Sequence, residues 1–202
     1  MKLRFSPTSP YVRKVVVTAI ELGLDGRIER IPTSPRDPAS GLSRDNPLGK
    51  VPALITDEGE PLYDSPVICE YLASLVPGAA LFPAAGWARW RTLRLQALAD
   101  GVLDAAVLCV GEARRPPGER SAEFIGHQKG KIARALDALE GEAAGFGERV
   151  DAGTIAAAVT LGYLDFRFAD EDWRPAHPTL TAWYQGFVNR PSMTASVPKD
   201  PA

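Results

Sequence analysis

The run Asn46-Pro47-Leu48-Gly49-Lys50-Val51-Pro52, followed a little later by Tyr63-Asp64-Ser65-Pro66, sets a backbone clamp near an anion site. X-Pro is the one bond type that adopts cis at modest cost. A cis bend at Val51-Pro52 turns the N–H and C=O of Val51 outward at a strand edge, where a peptide-like ligand can pair as an added strand. Ser65 is a good helix N-cap, and Pro66 suits the first helical position. A helix N-terminus carries free N–H donors and partial positive charge, which suit a carboxylate. Together these features fit a small peptidic molecule with a free carboxylate.

A second group, Ser9-Pro10-Tyr11-Val12-Arg13, sits where a short strand should turn into a helix. Positive potential at such a turn stabilises a thiolate, and a hydroxyl that donates to the sulfur adds to the effect. An unperturbed thiol ionises near pH ~8.5, and the anion is the nucleophile. Ser9 is then the activator of a bound thiol and not itself a nucleophile. The plainer reading makes Ser9 only an N-cap. Cys69 and Cys109 are 40 residues apart by number, outside any C-x-x-C pair, and fall in apolar helical patterns. They read as buried small hydrophobes. His127 and His177 have no ligand-like neighbours, so no metal site is expected.

The elements that must position these groups follow from periodicity. Lys2 to Phe5 reads as a strand, and Val12, Val15, Val16, Ala19 and Ile20 mark a helix from about Tyr11 to Leu22, ended by Gly23. Ile28 to Ile31 reads as a second strand. The Pro- and Ser-rich stretch from Pro32 to Asn46 reads as a surface loop with room for a short helix. Ala53 to Thr56 and Pro61 to Tyr63 flank a hairpin turn at Asp57-Glu58-Gly59-Glu60, and a helix runs from Ser65 to about Leu75. The order βαβ-ββα predicts an α/β domain over 1–77. A linker at 78–86 and an all-α domain over 87–202 follow. Its helices run from about Trp87 to Arg114, from Ser121, from Thr154 to about Phe168, and from Pro178 to Asn189. The run Ile155-Ala156-Ala157-Ala158-Val159 places the third of these at the centre of that domain. The last dozen residues are expected on the surface.

The chain has 202 residues, 45% apolar and 24% charged, with a formal net charge of -2. That balance gives no electrostatic case for nucleic acid or an anionic membrane surface. No apolar run reaches the ~18 residues of a membrane span. The N-terminal Met1-Lys2-Leu3-Arg4-Phe5 leads into no apolar signal segment. The expectation is a cytoplasmic protein.

Asn46-Pro47-Leu48-Gly49-Lys50-Val51-Pro52, Asp64-Ser65 and Ser9-Pro10-Tyr11 together resemble the motifs of a bacterial cytosolic glutathione S-transferase of the serine type, and the resemblance spans the whole chain. It implies a thioredoxin-like N-terminal domain, a helical C-terminal domain and a homodimer. It also implies glutathione as co-substrate and a small hydrophobic electrophile as the second substrate. By position, Ser9 would donate to the glutathione sulfur, with Thr8 or Ser6 as alternatives. Tyr11 and Pro52 would border the tripeptide, and Val51 would pair with the cysteinyl unit. Asp64 and Ser65 would hold the γ-glutamyl end. Lys50 would reach the glycyl carboxylate or remain a solvated lysine. Asp100 would cross a dimer interface or belong to a solvated acidic face with Asp104. A serine where the cysteine-type classes carry cysteine implies conjugation chemistry over disulfide exchange. Candidate electrophile contacts are Tyr11, Ala105, Val107, Leu108, Cys109 and Glu112, with Tyr163 and Phe166 nearby. One departure is expected: relatives open the central helix with S/T-x-x-D, and here Thr154 is followed by Ala157, with Asp151 upstream as a partial substitute. Two alternatives remain on the same scaffold. One is a binding or regulatory protein without turnover. The other is a glutathione-dependent lyase, dehalogenase, isomerase or peroxidase.

Overall fold

The computed structural model describes residues 1–200. Four short strands form one sheet in the order β2-β1-β3-β4. They are β1 (Lys2–Phe5), β2 (Glu29–Pro32), β3 (Ala53–Ile55) and β4 (Pro61–Leu62). β1 and β2 are parallel, joined through α1 (Pro10–Glu21); β3 runs antiparallel to both β1 and β4. A short α2 (Leu42–Asp45) precedes β3, and α3 (Ser65–Ser74) follows β4. Alternate residues of the strands and one stripe of each helix meet in a core of Leu3, Val12, Val15, Leu54, Ile68 and Leu72. This is the thioredoxin-like domain expected.

The chain divides into two compact units. The first comprises Met1–Phe82 and the chain from Arg190; the second is Pro83–Asn189. The second unit is helical: α4 (Gly86–Ala113), α5 (Ala122–Ala143), α6 (Ala152–Arg167) and α7 (Pro178–Phe187). α6 is buried along its length from Ala152 to Leu164, and its small residues let α4 approach closely. A Cβ on Gly153 would lie 2.8 Å from the Thr92 carbonyl oxygen and 2.9 Å from Leu95 Cβ.

The expected domain limits and the observed units part at the end of the chain. The segment from Arg190, with α8 (Pro191–Thr194), packs with the first unit. The last residues are also not all superficial, since Ser192 and Met193 are buried. Specific pairing holds them there. Arg190 donates to Glu21 through Nε (2.9 Å) and Nη2 (2.8 Å), and Ser192 Oγ donates to the same carboxylate at 2.5 Å. Hydrogen bonds from Arg190 hold the Glu21 carboxyl below the usual carboxylate range.

Two helix starts are displaced from their expected frames. α6 opens one turn earlier than Thr154. Asp151 is its N-cap, accepting from the Thr154 N–H at 2.9 Å, and Thr154 Oγ1 accepts from the Asp151 N–H at 2.9 Å. The capping box is complete, with the acid at the cap and the hydroxyl three residues on. For α3 the N-cap is Asp64, not Ser65, so Ser65 and Pro66 stand at the first two helical positions.

Candidate active site

The sheet register brings three loops to one end of the first unit. β1 and β3 pair Lys2 with Ile55, Leu3 with Leu54 and Arg4 with Ala53, so the next step sets Phe5 opposite Pro52. β3 and β4 pair Leu54 with Leu62 and Ile55 with Pro61, and the same register continued sets Val51 level with Ser65. The turn after Phe5, the Val51-Pro52 step and the start of α3 therefore lie at the same end of the sheet. The Val51-Pro52 and Tyr63-Asp64 peptide bonds are both cis. The β1–β3 ladder ends at Ala53, which leaves the Val51 backbone outside it. Asn46, buried, shapes the approach: its Nδ2 donates to the Lys50 carbonyl at 2.8 Å and its Oδ1 accepts from the Leu48 N–H at 3.0 Å.

Ser9 is the N-cap of α1, and its Oγ accepts from the Val12 N–H at 3.3 Å. Capping uses the hydroxyl as an acceptor. Its own proton stays available to a further acceptor, so the cap and the thiol-activating role are compatible. Ser6 Oγ and Thr8 Oγ1 lie 3.5 Å from each other. Tyr11 is half-buried.

Ser65 is the most telling residue of this end of the sheet. It is 1% exposed, and its Oγ has no hydrogen-bond partner among the described residues. A buried hydroxyl without a partner is costly and calls for an explanation. Its place in the first turn of α3, beside orphan backbone N–H groups, is where a ligand carboxylate would supply the missing acceptor. Asp64 and Lys50 are both exposed.

Two family models match the chain: "Glutathione S-transferase, N-terminal domain" over residues 8–75 and "Glutathione S-transferase, C-terminal domain" over 96–186. The chain belongs to the glutathione S-transferase family. A glutathione transferase family member from Pseudomonas fluorescens Pf-5, solved with bound glutathione, is 45% identical, with a TM-score of 0.93 and 98% of each chain covered. A glutathione S-transferase from Methylobacillus flagellatus KT, also solved with glutathione, is 39% identical at a TM-score of 0.92, covering 98% of this chain and 99% of that one. Among curated proteins, the uncharacterized GST-like protein YibF of Escherichia coli K12 is 37% identical over 98% of both chains.

The remaining site candidates of this glutathione S-transferase family member lie on the second unit. Asp100 is half-buried on α4. Ala105 and Cys109 are buried in the second unit's interior, and burial pushes the Cys109 thiol up. Val107 and Leu108 are exposed, and Glu112 Oε1 accepts from the Ser121 N–H at 2.8 Å. Tyr163 is buried, which raises its phenol, and Phe166 lies under the Arg167 guanidinium at 3.9 Å. Among the described residues there is no cluster of three or more metal-ligating side chains, and no helix is long and apolar enough to cross a membrane. Sequence reasoning took Arg13 as a structural residue of the first helix, and passed over Glu21. Both are anchored to the last segment, and neither position carries a local signal of it.

Proposed function

We propose that this chain binds reduced glutathione at the end of the sheet that carries Ser9, Val51-Pro52 and Asp64-Ser65, and adds its sulfur to an electrophile. The observation that carries the reading is the buried Ser65 hydroxyl at the start of α3, which has no partner among the described residues. It fits the γ-glutamyl carboxylate. The backbone of Val51, outside the ladder, is suited to pair with the cysteinyl unit as an added strand. The Ser9 hydroxyl donates a hydrogen bond to the sulfur, and the α1 N-terminus adds positive potential. Both favour the thiolate. The thiol proton passes to solvent, and the sulfur lone pair forms the new bond to carbon as the bond to a leaving group, or the carbon's π bond, breaks and takes its electron pair away from that carbon. Tyr11 and Pro52 border the tripeptide, Asp64 takes the γ-glutamyl amine, and Lys50 reaches toward the glycyl carboxylate.

The working form in this reading is a homodimer. Leu48, Tyr63 and Val67 expose apolar surface on the first unit, and Trp87 and Trp90 on the second. Exposed apolar groups mark an interaction surface where they form a contiguous patch, which is the arrangement this reading requires on each unit. Asp100 would then reach the γ-glutamyl amine of the other protomer. Sedimentation at micromolar protein gives a dimer mass; a monomer mass would remove Asp100 from the site.

The direct test is a calorimetric titration with reduced glutathione, followed by the ultraviolet absorbance of the bound thiolate across pH. Saturable binding with ionisation well below pH ~8.5 is expected. No binding up to several millimolar would refute the reading.

A further inference from the structure

A cavity of about 190 Å³ opens beside Ser9 within the first unit. A cavity of about 150 Å³ holds benzene, so this one suits a single ring or a short carbon chain. Phe5 and Val16 give it an apolar floor. Its charged lining is of one sign: Arg13, Arg30 and Lys199 reach it, and among the described residues no Asp or Glu does. Like charges over an apolar wall focus their field into the opening.

The cations come from separate parts of the chain and are held differently. Arg13, 7% exposed, donates through Nη2 to the Met193 carbonyl at 3.2 Å and through Nε to Ser196 Oγ at 3.4 Å. Ser196 itself lines the cavity. Arg30 gives Nη2 to Asp25 at 2.6 Å and lies over the Phe5 ring, 5.5 Å from its centroid. A guanidinium carries five N–H donors, so Arg30 keeps others for a ligand. Lys199 is exposed on the segment that the Arg190–Glu21 pair anchors to α1.

We propose that this cavity receives the electrophile and selects one that bears a carboxylate, held by Arg30 and Lys199 while Arg13 fixes the wall. The proposal rests on the reading of Ser9 as the group that donates to the glutathione sulfur. For an aryl or benzyl halide, the sulfur forms the bond to carbon, halide leaves with the bonding pair, and the thiol proton goes to solvent. The carboxylate takes no part in bond making.

The test compares S-(para-carboxybenzyl)glutathione with its uncharged parent, S-benzylglutathione, by calorimetry, with free glutathione alongside. The wild-type chain, Lys199→Ala and Arg30→Leu are titrated. The acid should bind the wild type about fivefold more tightly than the parent, an advantage of the size that partly exposed pairs support. Added salt should shrink that advantage, and each variant should bring the two ligands toward parity. An acid that binds no more tightly than its parent, or an advantage that survives both substitutions, overturns the proposal while glutathione binding stands. Failure of the wild type to bind glutathione overturns the underlying reading and this proposal together. Lys199 is an exposed side chain near the chain end, so its variant decides the matter even if Arg30→Leu folds poorly.

Discussion

Replacing Ser65 by alanine should move stability and ligand affinity in opposite directions. The hydroxyl is 1% exposed and its oxygen has no partner among the described residues. A buried polar group left unsatisfied costs about 1–3 kcal/mol. Removing it relieves that cost in the unliganded protein, and alanine is also the better helix former by a few tenths of a kcal/mol. For a chain of this size each kcal/mol moves Tm by about 2–4 °C. Ser65→Ala should therefore melt a few degrees above wild type when no ligand is present. Glutathione should then bind roughly ten- to a hundredfold more weakly, because a hydrogen bond to a charged group contributes about 1.5–3 kcal/mol. Binding to the folded state alone raises stability by RT ln(1 + [L]/Kd), so saturating glutathione should narrow or reverse the order of the two melting temperatures. Thermal melts at several glutathione concentrations read both effects at once. A variant that melts lower without ligand and binds glutathione like wild type would show that the hydroxyl serves the fold, and the argument from its burial would fail.

Ser9→Ala should lower kcat/KM at neutral pH by about ten- to a hundredfold, the size of a charge-assisted hydrogen bond, while glutathione affinity falls only a few-fold. Equal losses in the two would place Ser9 in binding alone; the lost N-cap should separately cost about 1 kcal/mol in denaturant unfolding. Glu21→Gln should destabilise the protein by about 2 kcal/mol at pH 7, since it leaves Arg190 and Ser192 short of a charged acceptor. Glu21's carboxyl is depressed in the folded state, so its contribution is present above the ordinary glutamate range and is lost as pH falls through the lower folded value. The gap between variant and wild type should thus close in acid; a gap that persists there would reject the pairing as its cause. Gly153→Ala should cost about 1–3 kcal/mol, because the added methyl meets the Thr92 carbonyl at 2.8 Å and α4 must move away. An unchanged urea midpoint would show that the α4–α6 contact has slack.

Most helices and strands were legible to within a residue or two because hydrophobic period, glycine stops and proline starts agree locally. α1 between the Ser9 cap and the glycine at 23 is the clearest case. The segments that carry Ser9, Val51 and Ser65 were legible as motifs, and the strand register supplies the reason their loops lie at one end of the sheet. What escaped was frame and distance. A carboxylate and a hydroxyl can each play either part in a capping box. Asp151 and Thr154 therefore read equally well in the wrong order until the helix start is seen. Asp64 and Ser65 pose the same ambiguity one residue wide. The Glu21–Arg190 pair spans 169 positions, and no periodicity in a local window reports a contact of that separation. Arg13 reads as an ordinary helical cation for the same reason, since its partners Met193 and Ser196 lie at the other end of the chain.

That long-range clasp sets the order in which the protein can be completed during synthesis. Everything the first unit needs up to Phe82 emerges early, but α8 and its grip on α1 wait until Pro83–Asn189 have been translated. At about 5–20 residues per second this is a delay of roughly 5–20 seconds. In that interval Glu21 lacks Arg190 and Ser192, Arg13 lacks Met193 and Ser196, and the part of the wall beside Ser9 that the last segment supplies is missing. The second unit, although it is made later, is contiguous and can close as soon as α7 clears the ribosome. The domain that begins the chain is the last to be finished.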